Sequence, residues 1–501
     1  MLTASIVVDR RFTSGTVPRR LFGGFIEQAG RGVYHGLFEP EHPLADSHGF
    51  RRDVIELIRE LGVTTVRYPG GNYVSGHRWE DGTGPVDLRP SRLDLAWHAT
   101  EPNTFGLDEF ITWSSEAGVE PMLALNLGTR GVLEALDMLE YCNGAGGTFQ
   151  ADRRRANGFE KPFDVRMWCL GNEPDGHWQL GHTDAAHYGL IARQTASAMR
   201  MFDPTLELVV AGSSGTEMAT YGSWERTVLE ASYDDVDFIS AHQYYYERDG
   251  DLASYLASST DFDAYIRSVI ATIDHVRSVK RSSRIVNVSV DEWGVWYQPD
   301  HVDEVPAGLW PVGGHRLEDF YSTADAVVYG SMLITLLKHV DRVRSASIAQ
   351  LVNVIAPIMT VDGGEAWKQT IFHPFAQASA SIGDMVLQTL VTSTPMTADR
   401  FGEVPAVDAV ATFDDDAGVL RIFVVNRSHE PAEFAADLSS FGQVFEGEMA
   451  VLASDEPRRK GAGGELDPRP RVSPLRPTHG QLAVTLAPVS WSTLTVQFGA
   501  R

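Results

Sequence analysis

Two glutamates, each at the end of a short apolar run, have the clearest chemical potential in this sequence. Glu173 lies in GNEP at 171–174 and Glu292 in DEW at 291–293. Two facing carboxyl groups can cleave a glycosidic bond, one protonating the leaving oxygen while the other attacks the sugar or activates water. A separation of about 5–5.5 Å gives retention and about 6.5–9.5 Å gives inversion, and the sequence leaves both open.

Further polar and aromatic residues end the neighbouring apolar runs. Amides and carboxylates bond hydroxyl groups and rings pack on C–H faces, so such a set predicts a sugar site. The residues concerned are Glu27, Arg67, Asn72, Asn172, His242, Gln243, Tyr244, Trp293, Trp296, Gln350 and Asn353. Trp97 and Trp178 are further candidates near the same site.

Structural interpretations compete with the chemical ones. A Gly-Asn turn before Glu173 is also ordinary strand-to-helix punctuation, and the second acid at an opposed strand end is what favours catalysis. Arg67 could form a structural ion pair, and Asp291 is assigned to structure. Because alternate strand positions face opposite ways, either Trp293 or Trp296 could belong to the core.

The elements that position these residues alternate between strand-like runs and helix-periodic stretches from about residue 20 to 380. This alternation is typical of βα units around a parallel sheet, and eight strands are the number of a (β/α)8 TIM barrel. The predicted strands are 21–26, 64–68, 121–126, 164–170, 206–211, 238–242, 284–290 and 344–350. In such barrels the reactive groups gather at the carboxyl ends of the strands, where Glu173 and Glu292 fall.

The pattern changes near residue 382 to alternating strands without long helices, which predicts an all-β sandwich of jelly-roll-like type. The fold class is therefore α/β, with the barrel at 20–381 and the sandwich at 382–501. Residues 1–19 contain a first strand too far ahead of the barrel to belong to it, and we expect it to join the sandwich sheet. The stretch 455–480, rich in Pro, Gly and Arg, is interpreted as a long surface loop.

Charge and apolar content bound the partners and the location. The formal net charge of −25 argues against nucleic acid and anionic membranes, both of which bind clustered cations. The clusters at 153–155 and 458–460 are interpreted as solvated loops. The sequence shows neither a secretion signal nor a membrane-length apolar run, and its two cysteines imply no disulfide framework, so we expect a cytoplasmic protein.

No cofactor or metal is expected. His177, His182 and His187 are spaced by five residues, which does not stack them on one helix face. The glycine-rich run at 461–464 lacks the strand before it and the helix after it that a nucleotide loop requires.

Six motifs resemble those of glycoside hydrolase family 51, whose members are mostly α-L-arabinofuranosidases, and the resemblance covers nearly the whole chain. The motifs are RYPGGN at 67–72, HRWEDG at 77–82, EPN at 101–103, GNEPDG at 171–176, DEWGVW at 291–296 and QLVNVIAP at 350–357. Pro174, Gly294 and the extended loop at 455–480 depart from the common pattern and bear on aglycone preference more than on catalysis.

The resemblance implies a role for each candidate. Glu173 would be the acid/base and Glu292 the nucleophile of a retaining, exo-acting enzyme on arabinofuranosyl oligosaccharides from arabinan or arabinoxylan. Arg67 and Tyr244 would orient Glu292, and Trp296 would line the pocket. The residues implied to bond the furanose hydroxyls are Glu27, Asn72, Asn172 and Gln350. A homo-oligomer, commonly a hexamer, is also implied.

Two rival functions remain open at this point. Another retaining enzyme of the same clan, an endo-glucanase or a xylan-degrading enzyme, would use the same two glutamates, because substrate choice lies in the loops. A non-catalytic carbohydrate-binding protein would use the same rim of polar residues, but binding alone needs no matched acid and nucleophile.

Overall fold

The strands and helices are those of a computed structural model that describes residues 2–302, 304, 306, 308–461, 463, 467–478 and 480–499. The strands up to residue 368 are β1 (Leu2–Val7), β2 (Thr13–Thr16), β3 (Gly23–Phe25), β4 (Thr65–Tyr68), β5 (Arg92–Asp94), β6 (Ala99–Glu101), β7 (Glu120–Ala124), β8 (Met167–Leu170), β9 (Glu207–Val210), β10 (Phe238–Tyr245), β11 (Asn287–Val295), β12 (Val343–Ile348), β13 (Ile358–Thr360) and β14 (Ala366–Lys368). The later strands are β15 (Met385–Leu387), β16 (Leu390–Ser393), β17 (Pro395–Ala398), β18 (Gly402–Pro405), β19 (Val407–Asp414), β20 (Val419–Asn426), β21 (Ala432–Asp437), β22 (Val444–Leu452), β23 (Arg471–Pro474), β24 (Gln481–Leu486) and β25 (Ser490–Phe498).

The α-helices lie mainly between the strands of the first 380 residues. They are α1 (Arg52–Leu61), α2 (Leu107–Ala117), α3 (Val132–Asn143), α4 (Phe149–Ala156), α5 (Ala185–Phe202), α6 (Ser223–Ser232), α7 (Leu252–Leu256), α8 (Ser259–Lys280), α9 (Thr323–Lys338) and α10 (Phe372–Ser379). Among the residues described, no helix combines the length and the apolar character needed to cross a membrane.

Eight parallel strands close into a barrel in the order β3, β4, β7, β8, β9, β10, β11 and β12. Each overlaps one of the eight predicted strands, so the predicted fold class of a barrel followed by an all-β domain is confirmed. These strands read as apolar runs because helices cover the outer face while side chains fill the interior.

Two antiparallel-rich sheets form the C-terminal part. One has the order β16, β1, β21 and β24, and the other has the order β2, β15, β19, β20, β25, β22 and β23. A separate apolar cluster that includes Ile6, Leu387, Phe434 and Leu494 lies between them. On these pairings we propose the division 1–19 with the sandwich, 20–381 as barrel and 382–501 as sandwich.

Helix α9 joins the barrel to the sandwich. Every residue from Thr323 to Leu337 is buried, as expected for a helix covered on all sides. Its Gly330 lets Trp491 of β25 pack closely, because a Cβ at that position would lie 2.2 Å from the indole. The barrel and the sandwich therefore pack directly on one another.

One of the two basic clusters differs from the solvated loop expected for it. Residues 153–155 belong to α4, and the Arg154 side chain is buried, donating to the carbonyls of Tyr141, Gly144 and Phe159. Residues 458–460 are exposed and lie outside any helix or strand, as expected for a solvated loop, although Arg458 and Lys460 also contact acidic and aromatic residues of the barrel. The expectation was wrong for residues 153–155 alone, because a charge run does not reveal that one of its members is buried against backbone carbonyls.

Candidate active site

The two glutamates meet at the carboxyl ends of β8 and β11. Glu173, Glu292 and His242 each contribute one atom to a group whose members all lie within 4.8 Å of one another. Both carboxyl groups are buried. An oxygen of one carboxyl group thus lies within 4.8 Å of an oxygen of the other, which favours the short spacing of retaining glycosidases over the about 6.5–9.5 Å of inverting ones.

Local backbone irregularities aim these side chains into the barrel. The pairing register shifts between Val290 and Trp293 on β11, and between Ser240 and His242 on β10. Such bulges redirect side chains that strict alternation would send to opposite faces. Glu173 itself has a φ of 43°, a left-handed conformation that costs a non-glycine residue about 1–3 kcal/mol. Strain of this kind persists where the surrounding structure holds a functional group in place.

Both oxygens of the Glu292 carboxylate are engaged. Arg67 Nη1 donates to Oε1 at 2.9 Å, and the Tyr244 hydroxyl donates to Oε2 at 2.8 Å. Arg67 also donates to the Asn172 side-chain oxygen at 2.5 Å, and its Nε lies 3.6 Å from Asp291. The plane of the Glu292 carboxylate is thus fixed by groups on two other strands, β4 and β10.

His242 contacts both glutamates. Its Nδ1 lies 2.8 Å from Glu173 Oε1 and 3.6 Å from Glu292 Oε2, and its Nε2 lies 3.1 Å from Asp291. Burial lowers the pKa of His242, but Glu292, Asp291 and Glu173 outweigh burial and raise the pKa well above its usual value. Both ring nitrogens therefore lie within hydrogen-bonding distance of carboxylate oxygens, and the raised pKa favours the protonated ring.

The pKa of Glu173 is shifted in the direction that an acid catalyst needs. Burial raises the pKa of this carboxyl above its usual value, and the charge of Glu292 raises it further. Hydrogen bonds from His242 and from the Trp178 indole, at 2.8 Å each, act in the opposite direction. The net shift in the pKa of Glu173 is upward.

Glu27 forms a side wall that brings three segments together. Its Oε1 accepts from the Tyr73 amide and the Trp97 indole, both at 2.8 Å, and its Oε2 accepts from Gln350 at 3.3 Å. The backbone at Gly70 and Gly71 passes so closely that a Cβ at Gly71 would lie 2.5 Å from a Glu27 oxygen. Two adjacent glycines are required there by this close approach.

Replacing Glu27 by glutamine is expected to stabilise the fold in a pH-dependent way. Burial raises the pKa of Glu27 from 4.5 to about 8. The folded state thus keeps a proton that the unfolded chain releases between these values, so stability is lost as pH rises through this window. Glu27→Gln should melt about 2–5 °C above the parent protein at pH 8 and show a smaller gain at pH 5.

Thermal unfolding at both pH values measures this effect. Glu403→Gln, on an exposed position of β18, serves as the control for loss of a carboxylate that is not buried. An equal gain for Glu27→Gln at the two pH values would contradict the buried-acid explanation.

A cavity of about 570 Å³ opens above these groups. Seven predicted site residues line it, namely Glu27, Asn72, Glu173, Tyr244, Glu292, Trp296 and Gln350. Arg67 and Asn172 are buried beneath the lining. Among the described residues Asn172 Nδ2 and Gln350 Oε1 are buried atoms without a partner, and buried polar atoms of this kind are available to a ligand hydroxyl.

The structure also assigns residues that the sequence left undecided. Trp97 and Trp178 both line the cavity, and Trp293 is fully buried in the core. His242 was noted among the polar residues at strand ends but was given no role in the site, although it precedes Tyr244 by two positions and so shares its face of the strand. That spacing was the available signal.

A larger cavity of about 750 Å³ is lined by Asp94 and Leu95, whereas the next residues, Ala96 and Trp97, line the cavity above the glutamates. Two of its carboxylates are already paired, Glu80 with Arg130 and Asp81 with Arg92. We place the chemistry in the smaller cavity, where Glu173 and Glu292 stand together.

The same close group of Glu173, His242 and Glu292 has the residue types of a metal site. A histidine ligand must offer a neutral nitrogen lone pair, whereas both ring nitrogens of His242 already lie beside carboxylate oxygens, 2.8 Å from Glu173 and 3.1 Å from Asp291. The contacts therefore favour a hydrogen-bonded cluster, and the expectation that no metal is needed stays a prediction.

The fold and the paired glutamates define a glycoside hydrolase of the (β/α)8 class. Two family models match, the alpha-L-arabinofuranosidase 1 domain over residues 57–267 and the alpha-L-arabinofuranosidase C-terminal domain over residues 291–490. The second begins within β11, so it spans the end of the barrel as well as the sandwich.

Characterised relatives match along the whole chain. An exo-alpha-(1->6)-L-arabinofuranosidase of Bifidobacterium longum is 50% identical over 98% of this chain and 97% of its own length. An intracellular exo-alpha-(1->5)-L-arabinofuranosidase of Halalkalibacterium halodurans is 46% identical over 98% of this chain and 99% of its own. A solved family 51 alpha-L-arabinofuranosidase from Bifidobacterium longum has a TM-score of 0.94 at 46% identity and covers 99% of both chains.

The chain belongs to the α-L-arabinofuranosidases of glycoside hydrolase family 51. The family, the fold class and the enzyme class expected from the sequence motifs are confirmed.

Proposed function

We propose that the protein is a retaining, exo-acting α-L-arabinofuranosidase that removes terminal arabinofuranosyl residues from arabino-oligosaccharides. The observation that carries the proposal is the placement of Glu173 and Glu292 within 4.8 Å of each other in a buried cluster. The cavity above them has the volume of a small-ligand site, which suits a terminal sugar better than the long cleft of an endo-acting enzyme.

Charge counting assigns the two roles. Arg67 and the His242 cation supply two positive charges to a cluster of three carboxyl groups, Asp291, Glu292 and Glu173. The cluster is neutral when one carboxyl group is protonated, and burial beside Glu292 raises the pKa of Glu173. Glu173 is therefore the acid, and Glu292, held by Arg67 and Tyr244, is the nucleophile.

In the first step Glu292 attacks the anomeric carbon while Glu173 gives its proton to the departing glycosidic oxygen. The bond between the anomeric carbon and that oxygen breaks, and an arabinosyl ester forms on Glu292. In the second step the ionised Glu173 takes a proton from water, whose oxygen displaces Glu292. Two inversions leave the configuration retained.

The other polar groups of the site position the sugar. Asn172, Gln350, Asn72 and Glu27 offer amide and carboxyl groups to the furanose hydroxyls, and the unpartnered atoms of Asn172 and Gln350 support this role. Trp296, whose ring meets Tyr244 edge-on at 5.3 Å, forms an apolar wall. Asp291 acts through Arg67 and His242 rather than on the substrate.

The linkage and the biological setting are also proposals. The relatives act on (1->5) or (1->6) linkages by their names, so we propose arabino-oligosaccharides with either linkage as substrates. Several relatives are named intracellular, which supports the cytoplasmic location. A homo-oligomer, hexameric in line with the family resemblance, is proposed as well, and light scattering would measure it.

The test is a comparison of aryl glycosides. We expect turnover of the α-L-arabinofuranoside, with little turnover of the β-D-xyloside or the β-D-glucoside, and nuclear magnetic resonance should show the α-anomer as the first product. Preference for the xyloside or the glucoside would overturn the arabinose assignment. Release of the β-anomer first would overturn retention, and no turnover of any glycoside would favour a binding protein.

A further inference from the structure

The loop that follows β22 in the sandwich reaches the barrel close to the substrate cavity. Residues 457–461, here called the basic loop, are attached on both sides of the start of α9. The Ala324 amide donates to the Pro457 carbonyl at 2.9 Å, and the Gly461 amide donates to the Tyr321 carbonyl at 3.0 Å. Arg458, Arg459 and Lys460 lie between these attachment points.

Arg458 holds the loop after β10. Its Nε donates to Glu247 Oε2 at 3.0 Å, and its Nη2 donates to the other Glu247 oxygen and to the Gly250 carbonyl at 2.7 Å. A fork of this kind fixes both position and orientation. Glu247 lies between Tyr246 and Arg248, which both line the substrate cavity.

Lys460 holds the loop after β11. Its Nζ lies 4.0 Å from the centre of the Tyr297 ring and 3.6 Å from Asp300 Oδ2. Tyr297 lies between Trp296 and Gln298, which both line the same cavity. The Tyr246 and Tyr297 rings are 6.4 Å apart, so the loops after β10 and β11 contact one another beside the residues that the basic loop binds.

We propose that the basic loop positions the rim of the cavity and thereby sets how tightly the enzyme binds the part of the substrate beyond the cleaved arabinofuranose. The inference rests on the proposed function. Glu292 is held by Arg67 and Tyr244, and neither contact involves the basic loop. Tyr246, Arg248 and Gln298 instead lie after the ends of β10 and β11, where the position of a residue depends on neighbouring loops. Loosening the rim therefore changes aglycone binding and spares the chemistry.

Single variants within the basic loop separate an effect on aglycone binding from an effect on the chemical step. Arg458→Ala and Lys460→Ala are compared with Arg459→Ala, a matched control because Arg459 pairs at 3.8 Å with Glu456, which directly precedes the basic loop, and not with the barrel. The substrates are an aryl α-L-arabinofuranoside and a linear arabinotriose. Arg458→Ala and Lys460→Ala should raise the KM for arabinotriose about three- to ten-fold, as for loss of one partly exposed ion pair, and change kcat and KM for the aryl substrate less than about two-fold. Arg459→Ala should leave both substrates unchanged.

Exchanging the charges of Arg458 and Glu247 distinguishes loss of this ion pair from misfolding as the cause of a raised KM. Arg458→Glu and Glu247→Arg should each raise the KM for arabinotriose, and the two together should return it toward the parent value, with melting temperatures recorded throughout. Equal changes on both substrates, an effect of Arg459→Ala as large as its neighbours', or a lowered melting temperature with unchanged KM would overturn the inference. A parent protein that cleaves no arabinofuranoside would overturn the proposed function, and the basic loop's role with it.

Discussion

Glu292→Ala is expected to lower kcat for aryl α-L-arabinofuranosides by about ten-thousand-fold or more, the scale seen when a nucleophile is removed. In the proposed mechanism this carboxylate bonds to the anomeric carbon, and in this cluster Arg67 and Tyr244 hold it in a fixed plane at 2.9 and 2.8 Å. We expect no other group of the cluster to replace it, because both nitrogens of His242 already contact carboxylates and Glu173 is the proposed acid. Steady-state kinetics measure the loss.

Azide distinguishes the nucleophile from any merely structural carboxylate. In Glu292→Ala the space left by the carboxylate admits azide, which attacks an activated substrate once and gives the β-arabinofuranosyl azide. Glu403→Ala, exposed on β18, is the matched control and should keep the parent kcat. Formation of the α-azide in Glu292→Ala, or an undiminished kcat, would show that another group is the nucleophile.

Glu173→Ala should produce a loss that depends on the leaving group. Proton transfer by a positioned acid contributes about 10²–10⁴-fold, so substrates with a sugar leaving group should lose about that much in kcat/KM. An aryl group that departs without a proton should lose far less in the first step, and the arabinosyl-enzyme should accumulate because no base activates water. Azide should restore turnover and give the α-azide, since Glu292 is intact.

The pH profile provides a second measure of Glu173. Burial beside Glu292 raises the pKa of this carboxyl, and the protonated form disappears as pH rises through that pKa. The parent kcat/KM should therefore fall on the alkaline side, and Glu173→Ala should lose that alkaline limb. An unchanged alkaline limb in the variant would assign it to another group.

The barrel strands and the reactive residues at their carboxyl ends could be predicted from the sequence. Barrel strands are apolar runs, and several end in polar residues. Glu173 and Glu292 stood out because each follows such a run, and counting the strands places both runs in one barrel with their carboxyl ends on the same rim. Seven of the nine residues proposed for the site line one cavity. Burial and side-chain alternation depend on residues a few positions apart, so a local sequence pattern is enough to predict them.

Contacts between distant segments were decided by the tertiary structure. The Trp97 indole reaches Glu27 across 70 positions, and Arg458 reaches Glu247 across 211, where the charge run had indicated only a solvated loop. No period or spacing encodes such a pairing, because each partner alone is an ordinary polar residue.

The sequence by itself determined the barrel, the all-β domain and the two opposed glutamates, since hydrophobic periodicity and residue type at strand ends fix elements and their order. The tertiary structure decided that both Asp291 and Glu292 point inward, through the register shift between Val290 and Trp293, and that His242 bridges the two acids. It also decided how the basic loop meets the cavity rim. Bulges and long-range ion pairs arise when whole elements pack, and their energies depend on neighbours that local sequence does not specify.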